Sequence, residues 1–183
     1  MTSAIKTCND NKVYLAQFFR IISETNSADI YQAAKDSAYY IGAVHEDEPA
    51  NGEALVNILL DKGDRDIGLI GWEQGDATWL GRWEGYKAGV EKWNKENPDD
   101  KAKISEPQYA GTTSEGGSKA AEALMAADPK LDALIPAGGG GDPLQGAIAA
   151  VERAGKTQDI DIVSTDFLSL IHISEPTRPE PIS

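Results

Sequence analysis

A single cysteine, Cys8, stands among the 183 residues, so the chain can form no internal disulfide. This fits a cytosolic protein and equally fits a bacterial protein outside the cytoplasm that needs no bridge. No apolar run approaches the ~18 residues of a membrane-spanning helix, so no membrane insertion is expected. Residues 1–12 lack the basic flank, the apolar stretch and the small-residue cleavage site of a secretory signal.

Positive charge is also scarce. The chain has 17 Lys and Arg against 30 Asp and Glu, which gives a net charge of −13. Because such a chain repels phosphate backbones, no nucleic-acid partner is expected. Hydrophobic residues make up 40% of the sequence and charged residues 26%, as in globular proteins. The length is that of one ordinary domain with a real core.

Strand-like and helix-like segments alternate from residue 39 to residue 166. Short apolar runs predict strands at 39–44, 66–71, 103–109, 131–136 and 160–164. Helical patterns lie between them at 49–62, 77–97, 112–128 and 142–155. This alternation predicts an α/β fold, a doubly wound parallel sheet with helices on both faces.

Ligands of such sheets bind beyond the carboxyl ends of the strands, where loops lead into helices. This rule selects the loops 71–78, 109–114 and 137–142, and the chain after Asp166. The capping-box sequence 112–115 (Thr-Thr-Ser-Glu) predicts that a helix begins directly after the second of these loops.

Four glycines, Gly138–Gly141, follow a strand and open a helix, as phosphate-binding loops do. A P-loop needs a lysine after the last glycine, but Asp142 and Pro143 stand there, and a carboxylate repels phosphate. The spacing G-x-G-x-x-G fails as well. The glycines therefore predict no nucleotide site.

Three further glycines, Gly81, Gly85 and Gly89, recur every four residues within the helix predicted at 77–97. Each glycine weakens a helix by roughly 1 kcal/mol. The spacing therefore predicts a structural role, in which the helix packs closely on the sheet or on a neighbouring element.

Catalytic machinery is not visible. The sequence has no G-x-S-x-G elbow and no supported Cys–His pair. The run 45–48 (His-Glu-Asp-Glu) could suggest a metal, but four adjacent residues cannot all face one ion. The acids precede Pro49 at a helix start, where the helix dipole favours them. Neither an enzyme nor a bound metal or cofactor is expected.

Three spaced patterns carry a resemblance to a known family. They are R-x-x-G-[FY] at 82–86, G-A-x-x-A-x-x-x-A-G at 146–155, and Asp166 at the end of a strand. In this order they resemble the second lobe of type 1 periplasmic binding proteins. That family comprises the sugar-binding proteins of ABC importers and the effector domains of lac-repressor-type regulators. The resemblance covers residues 39–167, and 4–22 look like the last strand region of the first lobe.

The resemblance implies a domain organisation. Residues 1–38 would be a remnant of the first lobe with its crossover, and 39–167 the second-lobe ligand-binding domain. The remaining segment, 168–183, contains LSLIHISEPTRP, which is similar to the translation of a sequencing-library adapter. It is expected to be a disordered, non-native tail, although a genuine disordered C-terminus has the same composition. The chain is thus expected to be a fragment that holds one wall of a cleft.

The resemblance also implies a function: solute binding for an ABC importer, with a sugar-like ligand and a membrane permease as partners. The parent protein would be periplasmic or extracellular, with a lipid anchor possible. The alternative is an effector domain of a lac-repressor-type regulator, which needs a helix-turn-helix upstream. A flavodoxin-like enzyme or receiver is a third reading, but the acidic cluster and the lysine of a receiver are not clearly placed.

Site residues follow by position. The resemblance implies that Arg82 forks hydrogen bonds to ligand hydroxyls and that Asp166 accepts them, although Arg82 could instead be a surface partner of Glu84 or Asp76. The family carries an Asn-Asp type pair near 140–141 where this chain has glycines. Asp142 replaces that contact or only caps its helix.

Loop position adds the remaining candidates. Trp72 stands just past a strand end, where an indole stacks on a sugar face or covers the cleft floor; packing in the core is its other reading. The predicted ligand-binding set is Arg82, Asp166, Asp142, Gly141, Trp72, Asp76 and Thr112.

Overall fold

A computed structural model describes residues 1–18, 22, 24, 27–137 and 142–165. The chain divides into two compact units, Met1–Glu48 and Pro49–Ser183, and each unit is described by itself. Among the described residues, no helix is both long and apolar enough to cross a bilayer.

The first unit contains two helices and two strands: α1 (Thr2–Asp10), β1 (Leu15–Phe18), α2 (Ala28–Lys35) and β2 (Tyr40–Val44). The two strands pair in parallel, with Phe18 opposite Val44. A strand was predicted at 39–44 and a strand region within 4–22, and β2 and β1 lie within these ranges. The helices α1 and α2 were not predicted; α1 buries only Ile5, and α2 buries no residue.

The boundary between the units lies after Glu48, whereas the sequence placed a domain boundary between 38 and 39. The expected domain boundary stays a prediction, and the position of the unit boundary has a simple physical cause. β2 forms its ladder with β1 and not with the larger sheet, so the strand at 40–44 belongs to the first unit.

The second unit is built on a parallel sheet. Its elements are α3 (Glu48–Lys62), β3 (Asp66–Gly71), α4 (Ala77–Glu96), β4 (Lys103–Ile104), β5 (Gln108–Tyr109), α5 (Ser114–Ala127), β6 (Ala133–Pro136), α6 (Asp142–Arg153) and β7 (Asp161–Ile162). The strand order is β4-β3-β6-β7, and β5 pairs with β3 beyond β4. All of these pairings are parallel, and they confirm the predicted α/β class.

Side chains of the strands alternate between two hydrophobic layers. Ile67 and Leu69 of β3 lie in the layer that α3 and α4 cover. Ile70 lies in the other layer, beneath α5 and α6. Helices on both faces explain why β3 and β6 are apolar along almost their full length. The sheet is therefore doubly wound, as the alternation of segments predicted.

The strand predicted at 103–109 is interrupted in the structure. Ser105 supplies the reason, because its side-chain oxygen accepts from Leu69 N–H at 2.9 Å in place of a backbone carbonyl. Its own N–H still donates to Ile67 O at 2.9 Å. The two short strands β4 and β5 therefore remain on the same edge of β3, on either side of this break.

One predicted helix start is shifted by a residue. The hydroxyl of Thr113, and not that of Thr112, accepts from Gly116 N–H at 3.0 Å and caps α5. Glu115 does not complete a capping box, since its carboxylate pairs with Lys119 at 2.6 Å one turn further on. The predicted box was therefore wrong in register, because two adjacent threonines offer equivalent caps.

The glycines of α4 allow two helices to approach closely. A Cβ on Gly85 would collide with the carbonyl oxygen of Pro49, and one on Gly89 would collide with Val56. On α3, Gly52 is equally crowded by the backbone of Arg82. The predicted packing role is confirmed for Gly85 and Gly89, and their partner is α3.

Candidate ligand site at the carboxyl edge of the sheet

The carboxyl ends of β3 and β6 lie side by side at a topological switch point. From β3 the chain passes to β4 and β5 on one side, then returns across β3 to β6 and β7 on the other. Loops that leave a parallel sheet at such a point diverge and open a crevice. The ends of β3 at Gly71 and of β6 at Pro136 mark the place where such a crevice is expected.

Hydrogen bonds join the loops of this edge. The N–H of Gly111 donates to Trp72 O at 3.0 Å, which holds the loop after β5 against the loop after β3. The hydroxyl of Ser164 donates to Pro136 O at 3.3 Å, which holds the end of β7 against the end of β6. The edge is therefore a fixed surface built from four strand ends.

Arg82 lies on α4 and contacts the carboxyl edge of the sheet. Its side chain is only 4% exposed, which is rare for an arginine. The Nη1 group donates to the hydroxyl of Thr165 at 2.7 Å, just past the end of β7. A guanidinium stays charged when buried, so its hydrogen bonds must replace the lost water. The alternative reading of Arg82 as an exposed surface residue does not fit this burial.

Trp72 lies beside Arg82 in the crevice. The guanidinium carbon is 6.0 Å from the centre of the indole ring, at the outer limit of a cation–π contact. The ring is half-buried and packs against the layer beneath α3 and α4. Its Nε1–H is shielded from solvent and has no acceptor among the described residues. A buried donor without a partner costs about 1–3 kcal/mol, so this atom is suited to meet an acceptor on a ligand.

The other two tryptophans near this loop are structural. Trp79 is buried in the core and meets the ring of Tyr86 at 5.9 Å between centroids. Trp83 packs partly buried on the same layer, and the Lys87 ammonium lies 4.9 Å from its ring centre. Trp79 therefore belongs to the core, and Trp83 lies partly buried at its margin.

The remaining predicted site residues differ in their surroundings. Asp76 uses its carboxylate to cap α4, accepting from Trp79 N–H at 2.8 Å. Thr112 is exposed and directly follows Gly111, which the loop of Trp72 holds. The backbone of Asp142 begins α6. Gly141 and Asp166 lie outside the described residues, and a ligand role stays a prediction for all of these positions.

Thr165 is the site residue that sequence reasoning missed. Its contact with Arg82 joins positions 83 residues apart, and no local pattern announces such a pairing. The only available signal was its place directly before Asp166, at the end of a predicted strand.

The opposite, amino edge of the sheet carries a different set of charges. Burial and the neighbouring carboxylates of Asp161 and Asp132 raise the pKa of Asp64 from 3.8 to about 6, although Lys62 acts in the other direction. Asp64 is 9% exposed, and one of its oxygens has no partner among the described residues. No group of three or more His, Cys, Asp or Glu within the described part of the chain is placed to hold a metal ion.

Comparison with solved structures shows the fold. An ABC transporter solute-binding protein from Agrobacterium vitis with bound D-fucose matches 89% of this chain at 18% identity, with a TM-score of 0.66. A glucose-galactose binding protein from Geobacillus stearothermophilus matches 92% at 15% identity, with a TM-score of 0.67. A sugar-binding transcriptional regulator of the LacI family from Escherichia coli, complexed with phosphate, matches 94% at 18% identity, with a TM-score of 0.70.

These structures share the type 1 periplasmic-binding-protein fold. This chain has that fold. The resemblance drawn from the three spaced patterns is thereby confirmed at the level of the fold. The chain spans 51%, 53% and 64% of the lengths of the solute-binding protein, the glucose-galactose binding protein and the regulator, respectively. Neither a protein-family model nor a curated protein matches the chain significantly.

Proposed function

We propose that this chain contains the ligand-binding lobe of a solute-binding protein that delivers a sugar or sugar-like molecule to an ABC importer. The observation that carries the proposal is the buried guanidinium of Arg82 at the switch point, held by Thr165 and flanked by Trp72. A guanidinium offers directed donors for hydroxyl oxygens, and an indole covers the apolar face of a pyranose. Among structures of the same fold, one solute-binding protein contains bound D-fucose, and another is a glucose-galactose binding protein.

The proposal includes binding without catalysis. The crevice offers a charged donor, an indole and a hydroxyl, none of which forms a nucleophile–base pair. In the parent protein the second wall of the cleft would come from the other lobe, and closure of the two lobes would trap the ligand. Delivery to a permease would place the parent protein in the periplasm or outside the cell, where a lipid anchor would fit the same role.

The proposal can be tested on the chain as it exists. ¹⁵N-labelled chain is titrated with D-galactose, D-glucose and D-fucose while amide and indole NMR signals are followed. One wall of a cleft supplies only part of the contacts, so a Kd of about 1 mM or weaker is expected. Shifts should be confined to the carboxyl edge, at the Trp72 indole and around Gly71, Ala137 and Thr165.

Two controls sharpen this titration. Arg82→Lys keeps the charge but loses the planar fork, so the sugar-induced shifts should weaken strongly. Arg153→Lys changes an exposed arginine of α6 that pairs with Glu122 of α5, so the sugar-induced shifts should persist. Absence of any sugar-induced shift at the carboxyl edge, or equal shifts in both variants and the wild type, would refute a sugar site on this lobe.

A second candidate function is the effector domain of a LacI-type regulator. It is favoured by the matches to the LacI-family regulator and to the Escherichia coli transcriptional repressor ascG, whose TM-scores are 0.70 and 0.69. The gene sequence upstream of this segment separates the two candidates. A signal or lipoprotein sequence supports transport, and a helix-turn-helix supports regulation.

A further inference from the structure

Arg82 is held at the carboxyl edge by a residue that neither its helix nor its loop supplies. The hydrogen bond of 2.7 Å from its Nη1 to the Thr165 hydroxyl joins α4 to the segment after β7. We infer that Thr165 is a positioning residue, which sets the plane of the Arg82 guanidinium and thereby the directions in which its donors point.

The geometry of the guanidinium supports this role. The group is planar and rigid, so fixing one Nη at its edge restricts the directions of all its other N–H bonds. The neighbouring Trp72 ring lies 6.0 Å from the guanidinium carbon, at the outer limit of a cation–π contact. The restraint on the plane therefore rests mainly on the hydrogen bond to Thr165.

The acceptor is itself well restrained. A threonine side chain is stiff at χ1 because its Cβ is branched. Thr165 is half-buried and directly follows Ser164, whose hydroxyl donates to Pro136 O at 3.3 Å. The end of β7 is therefore held against the end of β6, which gives the Thr165 oxygen a defined position. The role of Thr165 in ligand binding rests on the proposed function. Its hydrogen bond to Arg82 is independent of that function.

Ligand-free NMR of the full chain tests the hold on Arg82. Rotation of a guanidinium normally averages its Nη signals, and a persistent hydrogen bond slows this rotation. We expect resolved Arg82 Nη signals in the wild type and in Thr165→Ser, which keeps the hydroxyl. Thr165→Val keeps the shape and removes the acceptor of Nη1, so the Nη1 signal should broaden or shift relative to the wild type.

Two references make this measurement specific. Arg65 donates through Nε and Nη2 to Asp100 at 2.8 and 2.6 Å, so its signals should stay resolved in every variant. Ser118→Ala removes a hydroxyl that contacts Glu122 and Arg153, away from the carboxyl edge, and should leave Arg82 unchanged. If Thr165→Val does not fold, Thr165→Ala replaces it as the variant without an acceptor. An Arg82 Nη1 signal that is unchanged from the wild type in a folded variant without the acceptor would overturn the inference.

A sugar titration then tests the consequence for binding. With D-galactose as the probe, loss of the positioning contact should weaken the apparent affinity by about 10-fold or more, as expected for a hydrogen bond to a charged group. Thr165→Ser should remain within about 3-fold of the wild type. Equal weakening in both variants would overturn the positioning role in binding. If no sugar binds the wild type, the proposed function fails, and the ligand-free signals alone decide the inference.

Discussion

The carboxylate of Asp132 accepts the backbone N–H of Arg65 at 2.8 Å and holds the start of β3 against the start of β6. Its second oxygen accepts the N–H of Asp66, also at 2.8 Å. One side chain thus accepts hydrogen bonds from two backbone N–H groups at the amino edge of the sheet, where β3 pairs with β6.

Replacing Asp132 with Ala should therefore destabilise the second unit by about 1–3 kcal/mol, because two partly buried N–H groups lose their acceptors. Urea unfolding monitored by circular dichroism measures this change. Glu115→Ala, which removes an exposed pair with Lys119, should cost less than about 0.5 kcal/mol. A cost for Asp132→Ala as small as that of the control would contradict the bridging role.

The raised pKa of Asp64, at the same edge, predicts that the stability of the chain depends on pH. Its folded pKa of about 6 lies above the ordinary 3.8, so the folded chain holds this proton more tightly than the unfolded chain. The resulting stabilisation is complete below about pH 4 and is lost as the pH rises through 6. Asp64→Asn should therefore be more stable than the wild type at pH 7, by about 1–3 kcal/mol, and the difference should vanish near pH 4.

Urea titrations of both proteins between pH 4 and pH 8 measure this difference. The exposed Asp61, on the last turn of α3, provides a matched control. Asp61→Asn removes one surface carboxylate and tests whether the loss of a negative charge alone produces the difference. A difference between Asp64→Asn and the wild type that does not change with pH would show that the two states bind this proton equally.

The contact between α3 and α4 predicts a helix substitution with an unusual sign. Alanine normally improves a helix relative to glycine by about 1 kcal/mol. At Gly85 the new methyl would collide with Pro49 O and lie 2.8 Å from Glu53 N, so the helices must separate. Gly85→Ala should therefore destabilise the chain by about 2 kcal/mol or more.

Ala88→Gly on the exposed face of the same helix is the matched reference, since it changes propensity alone and should cost about 1 kcal/mol. Differential scanning calorimetry of both variants gives the comparison. If Gly85→Ala raised the melting temperature, the close approach of the two helices would be refuted.

Most of the second unit could be predicted because its signals are local. The apolar run at 66–71 and the stop at Gly63, which adopts φ 113°, depend on neighbouring residues and appeared where expected. The interruption at Ser105 could not be predicted, because it arises from a hydroxyl that meets the N–H of Leu69, 36 residues away. The same limit applies to the cap at Thr113, where two adjacent threonines compete with equal local preference.

The candidate site was only partly visible in the sequence. Arg82 and Trp72 were found because one lies in a spaced pattern and the other follows a strand end. The burial of Arg82 and its bond to Thr165 depend on how β7 joins the sheet. Likewise, the domain boundary depended on which strand β2 pairs with, and the apolar run at 39–44 carries no information about its partner.

Two tryptophans of the second unit differ in their hydrogen bonding, and this difference gives a final prediction. Trp93 donates its Nε1–H to Asp100 O at 2.8 Å, whereas the shielded Nε1–H of Trp72 has no acceptor among the described residues. Phenylalanine removes the N–H in both cases. Trp93→Phe leaves a carbonyl without its donor, but Trp72→Phe removes an unsatisfied group. In urea unfolding, Trp93→Phe should be the less stable variant by about 1–2 kcal/mol. Equal losses would show that the Trp72 N–H already has an acceptor in the free chain. The inference that this N–H donates to a bound sugar would then fail.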